Sequence, residues 1–487
     1  MRPTVVEVLS PEELTAIDQA SREVLQETGI LVRSRDLLLE LEGLGLEVDH
    51  DGFRVRFSPA QVQKAIGCAP RRIELHDRNG RPAFAIGQGN PPRFAAGFNA
   101  TFVLDSAAAA RRPALKADIA RFAGLAHALG DIDLVGPAAV PHDVPAAAAA
   151  LHSLEAVLDS TTKPVLFAPE NDGEAAALLE ILEAAGRPAA GPAPGPKAAA
   201  GPAPAGICQF SPSSPLFWNE GTLKGFLRVA RAGFPCTILP GPLAGATSPY
   251  TLAANLVQKN SEALAALTMA QLARPGTPLL VYNAGGQFDM RSQAAVFGTP
   301  EVALILLAGT QLARFYGLPT HACFPSSDSH CLDEQLGIEN SLQLLACWLA
   351  RADLMVNAGM LAGGQTASPE QLVIDNDLCA LVRRIARGIV VDPEHLCREA
   401  FRRVGPGGSF LEDPTTLAHL RSGEWSELEV LSRQRHDSWR QEGSPTVVER
   451  AGRVARGLDG AEAARLQPEA RRRIRDIIGG YERSHRP

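Results

Sequence analysis

Four side chains of types that bind soft metals fall within eleven residues: His321, Cys323, His330 and Cys331. The set would suit zinc, but its spacing, H-x-C-x6-H-C, matches no standard zinc pattern. His330 and Cys331 are adjacent, so an extended segment would send them in opposite directions. Cys323 and Cys331 read equally as small buried apolar residues. Carboxylates crowd the same region as Asp328, Asp333, Glu334 and Glu339. Asp333 suits the N-cap of the helix that follows. Glu339 points inward only if it shares the face of Gln335, four residues earlier. Neither G-x-S-x-G nor H-E-x-x-H occurs, so neither a nucleophile elbow nor a zincin helix is written in the chain.

A second chemistry rests on aromatic rings. The chain has only four Tyr and four Trp, and Trp218, Tyr250 and Tyr282 fall at or near strand ends or loops, with Phe98, Phe288 and Phe324. Rings converging on one opening would hold a quaternary ammonium by cation–π attraction of roughly 0.5–2 kcal/mol each. The same rings would serve equally as packing beneath loops.

The elements that must position these groups alternate. Eight apolar runs read as buried strands: 93–97, 132–136, 164–168, 206–210, 235–239, 278–282, 319–323 and 353–357. Amphipathic stretches lie between them, including 116–129, 173–185, 222–232, 249–272, 299–316 and 333–350. Alternation of apolar strands with helices predicts a parallel sheet with helical crossovers. Eight units over about 260 residues fit a closed (β/α)8 barrel. An open doubly wound sheet is the other arrangement, but neither G-x-G-x-x-G nor a Walker loop is present to support it. In a barrel, function sits at the C-terminal strand ends. That rule selects Phe98 after the first strand, Trp218 after the fourth, and Tyr282, Asn283, Phe288 and Arg291 after the sixth. It also selects His321, Ser326 and Asp328 at the seventh and Asn357 at the eighth.

The architecture expected is therefore α/β: an N-terminal α+β extension over 1–90, a barrel over 91–390 and a C-terminal helical region over 391–487. In the extension, helices are expected at 11–29 and 34–42 and strands at 48–57 and 72–75. The low-complexity stretch 184–206, AAGRPAAGPAPGPKAAAGPAPAG, reads as an exposed connection between the third and fourth strands. The segment from Thr446 to Pro487 reads as a peripheral helical tail.

The 487 residues carry 47 Lys+Arg against 54 Asp+Glu, a formal charge of −7, which speaks against a nucleic-acid partner. No apolar run of 18 or more argues for a membrane span. The first residues, MRPTVVEVLSPEELTAID, lack a basic start and an apolar signal core. A cytoplasmic chain with eight reduced cysteines is the expectation.

Several motifs together resemble the trimethylamine methyltransferase family. They are Gly285-Gly286-Gln287-Phe288-Asp289-Met290-Arg291, then Phe297-Gly298-Thr299-Pro300-Glu301, and Ser327-Asp328-Ser329 with Asp333-x-Gln335-x-Gly337-x-Glu339. Ala358-Gly359-Met360-Leu361, Val373-Ile374-Asp375-Asn376-Asp377, the run Val404–Leu411 and Phe98-x-x-x-Phe102-Val103-Leu104-Asp105 also match. The resemblance spans about residues 5–450 and is most specific over 280–411.

That resemblance implies a (β/α)8 barrel that moves a methyl group from an amine to a corrinoid. The cobalt, as cob(I)alamin becoming methylcobalamin, would be presented by a separate corrinoid protein, with no cofactor held tightly by the barrel. Trimethylamine-specific members carry pyrrolysine in a barrel-centre loop, and the stretch near 321–331 here has none. The sequence thus resembles the non-pyrrolysine branch, whose characterised members use quaternary amines such as glycine betaine, proline betaine or carnitine. The chemistry agrees: a quaternary ammonium leaves as a neutral tertiary amine, so the protein need only bind, orient and desolvate it. On this reading Phe98, Tyr282, Phe288 and Trp218 surround the ammonium. A substrate carboxylate would meet Asn283, His321, Ser326, Asn357 or Arg291. Asp328 and Glu339 would balance the charge or hold loops. A homo-oligomer is expected. A zinc-dependent corrinoid methyltransferase of another substrate class and a non-catalytic betaine-binding protein are the competing readings.

Overall fold

The structure, a computed structural model, describes residues 6–105, 110–186, 205–283, 285–323, 327–420, 422–458 and 464–485, with the backbone alone at 282 and 283. The apolar runs form a closed barrel of eight strands. They are β1 (Arg93–Ala96), β2 (Leu134–Val135), β3 (Val165–Phe167), β4 (Gly206–Phe210), β5 (Cys236–Ile238), β6 (Leu279–Asn283), β7 (Thr320–Cys323) and β8 (Leu354–Ala358). Neighbours in sequence are neighbours in space, every pair is parallel, and β8 closes on β1.

One principal helix follows each strand: α1 (Lys116–Ala128), α2 (Ala149–Leu158), α3 (Asp172–Gly186), α4 (Glu220–Ala232), α5 (Leu252–Ala273), α6 (Pro300–Phe315), α7 (Glu334–Ala350) and α8 (Pro369–Arg387). Local signals set their ends. Thr299 and Ser368 cap α6 and α8, each followed by a proline, and Asp333 caps α7 by accepting from the Leu336 N–H at 3.0 Å. Gly233, at φ 70°, ends α4 in the left-handed region. Lys163 reaches from the start of β3 to the carbonyls of Ala126, Leu129 and Ile132, tying the end of α1 to the approach of β2.

The N-terminal extension closes the floor of the barrel. A hairpin of Arg72–His76 with Pro82–Gly87 packs Ile73, Leu75 and Ile86 against the interior residues Ala95, Leu134, Leu166 and Leu354. Gly87 must be glycine: its φ is 84°, and a Cβ would lie 2.4 Å from the Arg71 carbonyl. The expected single strand over 48–57 is instead a hairpin, Glu47–Asp49 with Arg54–Arg56, because the turn residues Asp51-Gly52 divide it. Helix 11–29 is α-helical to Glu23 and π-helical over Val24–Thr28, and a further helix covers Pro59–Cys68.

The C-terminal segment is not peripheral. Helices Val447–Gly457 and Pro468–Ser484 bury Ala451, Ala455, Ile474, Ile478 and Tyr481 in the same hydrophobic core as the barrel helices. Their Arg-rich outer faces hide small and branched apolar residues at helical spacing. Most of the Ala/Pro/Gly-rich connection before β4, residues 187–204, lies outside the described residues.

Candidate functional site

At the C-terminal mouth of the barrel lies a cavity of about 280 Å³ lined by Leu239, Gly241, Leu243, Gly285, Phe297, Val302, Leu306, Cys323, Asn357 and Gly363. Its walls come from the C-terminal ends of β5, β6, β7 and β8, with the connections that follow them, and from α6. Beneath it, Phe98, Leu239 and Cys323 pack on the apolar barrel interior. Among the described lining residues none is charged, and the polar atoms offered are the Cys323 thiol and the Asn357 amide.

Asn357 reaches this position through a backbone irregularity. The β8–β1 register shifts between Met355 and Ala358, and Asn357 takes φ 81°. Such a bulge re-aims a side chain at a barrel rim. The Asn357 Nδ2 stands 2.7 Å from the Cys323 Sγ.

His321 is fully buried in the barrel interior, with Nδ1 2.7 Å from Oγ1 of Thr237, itself fully buried on β5. Burial pushes the imidazole down to about 3, so it is neutral at physiological pH. It belongs to the interior below the cavity and is not among the lining residues.

Asp328 and Glu339 hold loops. Asp328 accepts the N–H groups of Phe297 at 2.9 Å and Gly298 at 2.8 Å. Glu339 on α7 accepts the Ser327 hydroxyl at 2.7 Å, the Asp328 N–H at 2.9 Å and the Gln335 amide at 2.9 Å. Burial raises Asp328 above the usual carboxylate range, partly offset by the two backbone donors. A Cβ on Gly298 would lie 2.4 Å from the Glu339 carboxyl, so the glycine permits this approach. The two acids thus fix the Phe297 wall of the cavity from behind.

The motif Asp375-Asn376-Asp377 acts likewise. Asp375 accepts the Gly359 N–H at 2.7 Å and the Gln371 amide at 2.8 Å, Asn376 accepts the Asp131 N–H at 3.0 Å, and Asp377 accepts the N–H groups of Glu429, Val430 and Leu431. Three consecutive side chains of α8 secure the β8 loop, the approach to β2 and the C-terminal segment.

Other expected site residues are dispersed. Trp218 is 1% exposed and stacks on Phe226 at 5.3 Å, in the seam where strand Ile30–Val32 of the extension pairs with Phe217–Trp218. This is core packing outside the cavity lining, and it corrects the placement of Trp218 around an ammonium. Phe288 is half-buried on a ribbon of Gly286–Asp289 with Ala294–Val296, and Arg291 is exposed at its tip, so neither lines the cavity. Tyr250 is 61% exposed. Tyr282 and Asn283 end β6, paired with His321 and Ala322, and their side chains lie outside the described residues, as do Phe324 and Ser326. The four metal-ligand types also separate: His321 is interior, Cys323 faces the cavity, and His330 and Cys331 are exposed. Phe297, which the cage reading omitted, is the aromatic ring among the described residues of the cavity wall. Its signal was its place in the Phe297–Glu301 motif.

A family model described as trimethylamine methyltransferase (MTTB) matches residues 2–484. The trimethylamine methyltransferase MttB of Desulfitobacterium hafniense (strain DSM 10664 / DCB-2) is 29% identical over 442 residues, covering 91% of this chain and 87% of its own. A glycine betaine methyltransferase from Desulfitobacterium hafniense (strain Y51) is 28% identical over 476 residues, covering 97% and 96%. The crystal structure of the Methanosarcina barkeri monomethylamine methyltransferase aligns with TM-score 0.49 and 12% identity over 96% of this chain and 92% of that one.

Proposed function

The chain belongs to the trimethylamine methyltransferase family and is a methyltransferase, and on that premise we propose that it demethylates a quaternary amine of the glycine betaine, proline betaine or carnitine type and passes the methyl group to a corrinoid on a partner protein. The observation that carries this reading is the cavity: about 280 Å³ at the barrel mouth, walled by Phe297 and aliphatic side chains. Such a wall strips water from an onium group and offers a π face to its charge.

The residues fit a nucleophile that arrives from outside. Among the described lining residues there is no acid, base or imidazole, and glycines at 241, 285 and 363 leave the rim low. A Cβ at Gly241 would meet nothing within 4 Å, so that part of the rim is open. A reduced corrinoid presented at this mouth would supply the electron pair donated to the methyl carbon. The carbon–nitrogen pair would stay on nitrogen, so that a neutral tertiary amine would leave without needing a proton. Phe297 and Phe98 provide aromatic surface, and Asn357 offers an amide donor to a carboxylate on the substrate. Asp328 and Glu339 are positioning residues, since both are engaged by loop donors.

The test is direct. The purified chain is mixed with cob(I)alamin and separately with glycine betaine, proline betaine, carnitine and trimethylamine, and the rise of methylcobalamin absorbance is followed. At least one quaternary amine should turn over while trimethylamine does not. Turnover of trimethylamine alone overturns the assignment. Phe297→Ala should raise KM for the active amine at least tenfold, the loss expected for one well-placed ring and its buried area.

A further inference from the structure

Large apolar side chains on the surface of this protein are concentrated in one stretch. Between Ile385 and Trp425, eleven are exposed. Ile389, Val391, Phe401, Leu411, Leu417 and Trp425 are 83, 73, 64, 86, 75 and 79% exposed. At roughly 100 Å² each, the eleven present on the order of 1,000 Å² of apolar surface. The largest patch on an ordinary monomer is roughly 300–600 Å². An obligate homodimer buries roughly 1,000 Å² or more per subunit.

The side chains are held out by an organised scaffold. Arg403 pairs with Asp413 at 3.0 Å, and Asp413 accepts the Thr415 hydroxyl at 2.6 Å. Phe401 and Phe410 meet edge to face at 5.5 Å. Arg384 donates to the carbonyls of Glu424 at 2.6 Å and Gly388 at 2.9 Å, fastening both ends of the stretch to the last turn of α8.

Position identifies the occupant. The end of α8 lies at the floor of the barrel: Arg383 pairs with Asp131 at 2.9 Å and Asp133 at 2.5 Å, and Asp133 accepts the Phe94 N–H at the start of β1. The cavity is at the opposite rim, so a methyl acceptor that must reach it does not dock here. Residues 385–425 contain five Lys+Arg and six Asp+Glu, a balance of −1. A nearly neutral apolar face with both signs interspersed can be complementary to itself, as a two-fold contact requires. We propose that this face, residues 385–425, is where a second copy of the chain docks.

The experiment uses the full chain. Sedimentation velocity should show a dimer or a multiple of dimers, and Leu411→Glu with Leu417→Glu should shift it to monomer while circular dichroism is unchanged. Ile338→Glu, at an exposed position on α7 outside this stretch, should leave the assembly intact. Hydrogen exchange on the unaltered chain gives an independent reading: amides in 385–425 should become more protected as protein concentration rises. A chain that stays monomeric at every concentration, or a double variant that stays assembled, overturns the proposal. So does protection of 385–425 that follows added corrinoid protein and not the concentration of this chain.

Discussion

Glu339 on α7 accepts the backbone N–H of Asp328 at 2.9 Å, and the Asp328 carboxylate accepts the Phe297 N–H at the same distance. One acid therefore holds a second acid, which holds the aromatic wall of the cavity. Truncation at Glu339 orphans a backbone donor and the Ser327 hydroxyl, at about 1–3 kcal/mol. Glu339→Ala should lower the melting temperature and cut kcat/KM at least tenfold by letting the Phe297 loop drift. Glu339→Gln keeps an acceptor and should recover part of both losses. Steady-state kinetics beside a thermal melt decide it: full turnover in the alanine variant would detach these acids from the cavity.

His321 supplies a pH signature. Its folded-state value is pushed down to about 3 by burial, whereas the unfolded chain protonates it near the ordinary imidazole value of about 6.5. Between these values the unfolded state binds more protons, so this residue makes stability fall as pH drops from 6.5 towards 3. The slope is at most about 1.4 kcal/mol per pH unit. His321→Gln should remove this contribution, though not that of other titrating groups, from urea midpoints taken between pH 4.5 and 7.5. Thr237→Val should cost about 1–3 kcal/mol by withdrawing the hydroxyl beside Nδ1.

Asp375 pulls the other way. Burial raises its carboxyl to about 7 despite donors from Gly359, Gln371 and Asn340. Between an unfolded value near 4 and 7 the folded state holds more protons, so stability falls as pH rises through that window and is level above it. The contributions of His321 and Asp375 oppose each other from pH 4 to 6.5. Asp375→Asn should expose the His321 trend, with stability rising with pH, and His321→Gln should expose the reverse. Slopes of the same sign in both variants would refute this pairing.

The barrel was readable because its strands are buried on both faces and so are mainly apolar, with Gln209, Thr237, Thr320 and His321 as buried polar exceptions. Each observed strand falls within two residues of its apolar run. The cavity was harder to read, since Leu239, Leu243, Val302 and Leu306 are chemically indistinguishable from core residues and meet only when the connections fold together. Trp218 shows the same ambiguity from the other side: a large ring at a strand end suits a cage, but the docking of Ile30–Val32 draws it into a seam. The acids were found by type but not by role. Whether Asp328 faces a ligand or a loop amide depends on Phe297, thirty-one positions away.

Lys259 on α5 was not anticipated, and it is the sharpest departure from ordinary core composition. It is 3% exposed, and its Nζ makes no hydrogen bond among the described residues. Its neighbours along the helix are engaged: Gln258 with Thr247, Asn260 with Ser21 and Tyr316, and Glu262 with Ser214 and Leu216. Burial brings the amine down to about 7, against an unfolded value near 10.4. Between those values the unfolded state binds the extra proton, so stability rises with pH from 7 to about 10 and carries the whole penalty below 7. Lys259→Met keeps the length and volume of the side chain and removes the charge. It should stabilise the fold by about 1–4 kcal/mol at pH 6.5, with the gain shrinking steadily towards pH 10. Chemical denaturation of both chains at pH 6.5, 8 and 9.5 measures this directly, and a methionine variant that is less stable at pH 6.5 would mean that the ammonium is held by something the fold requires.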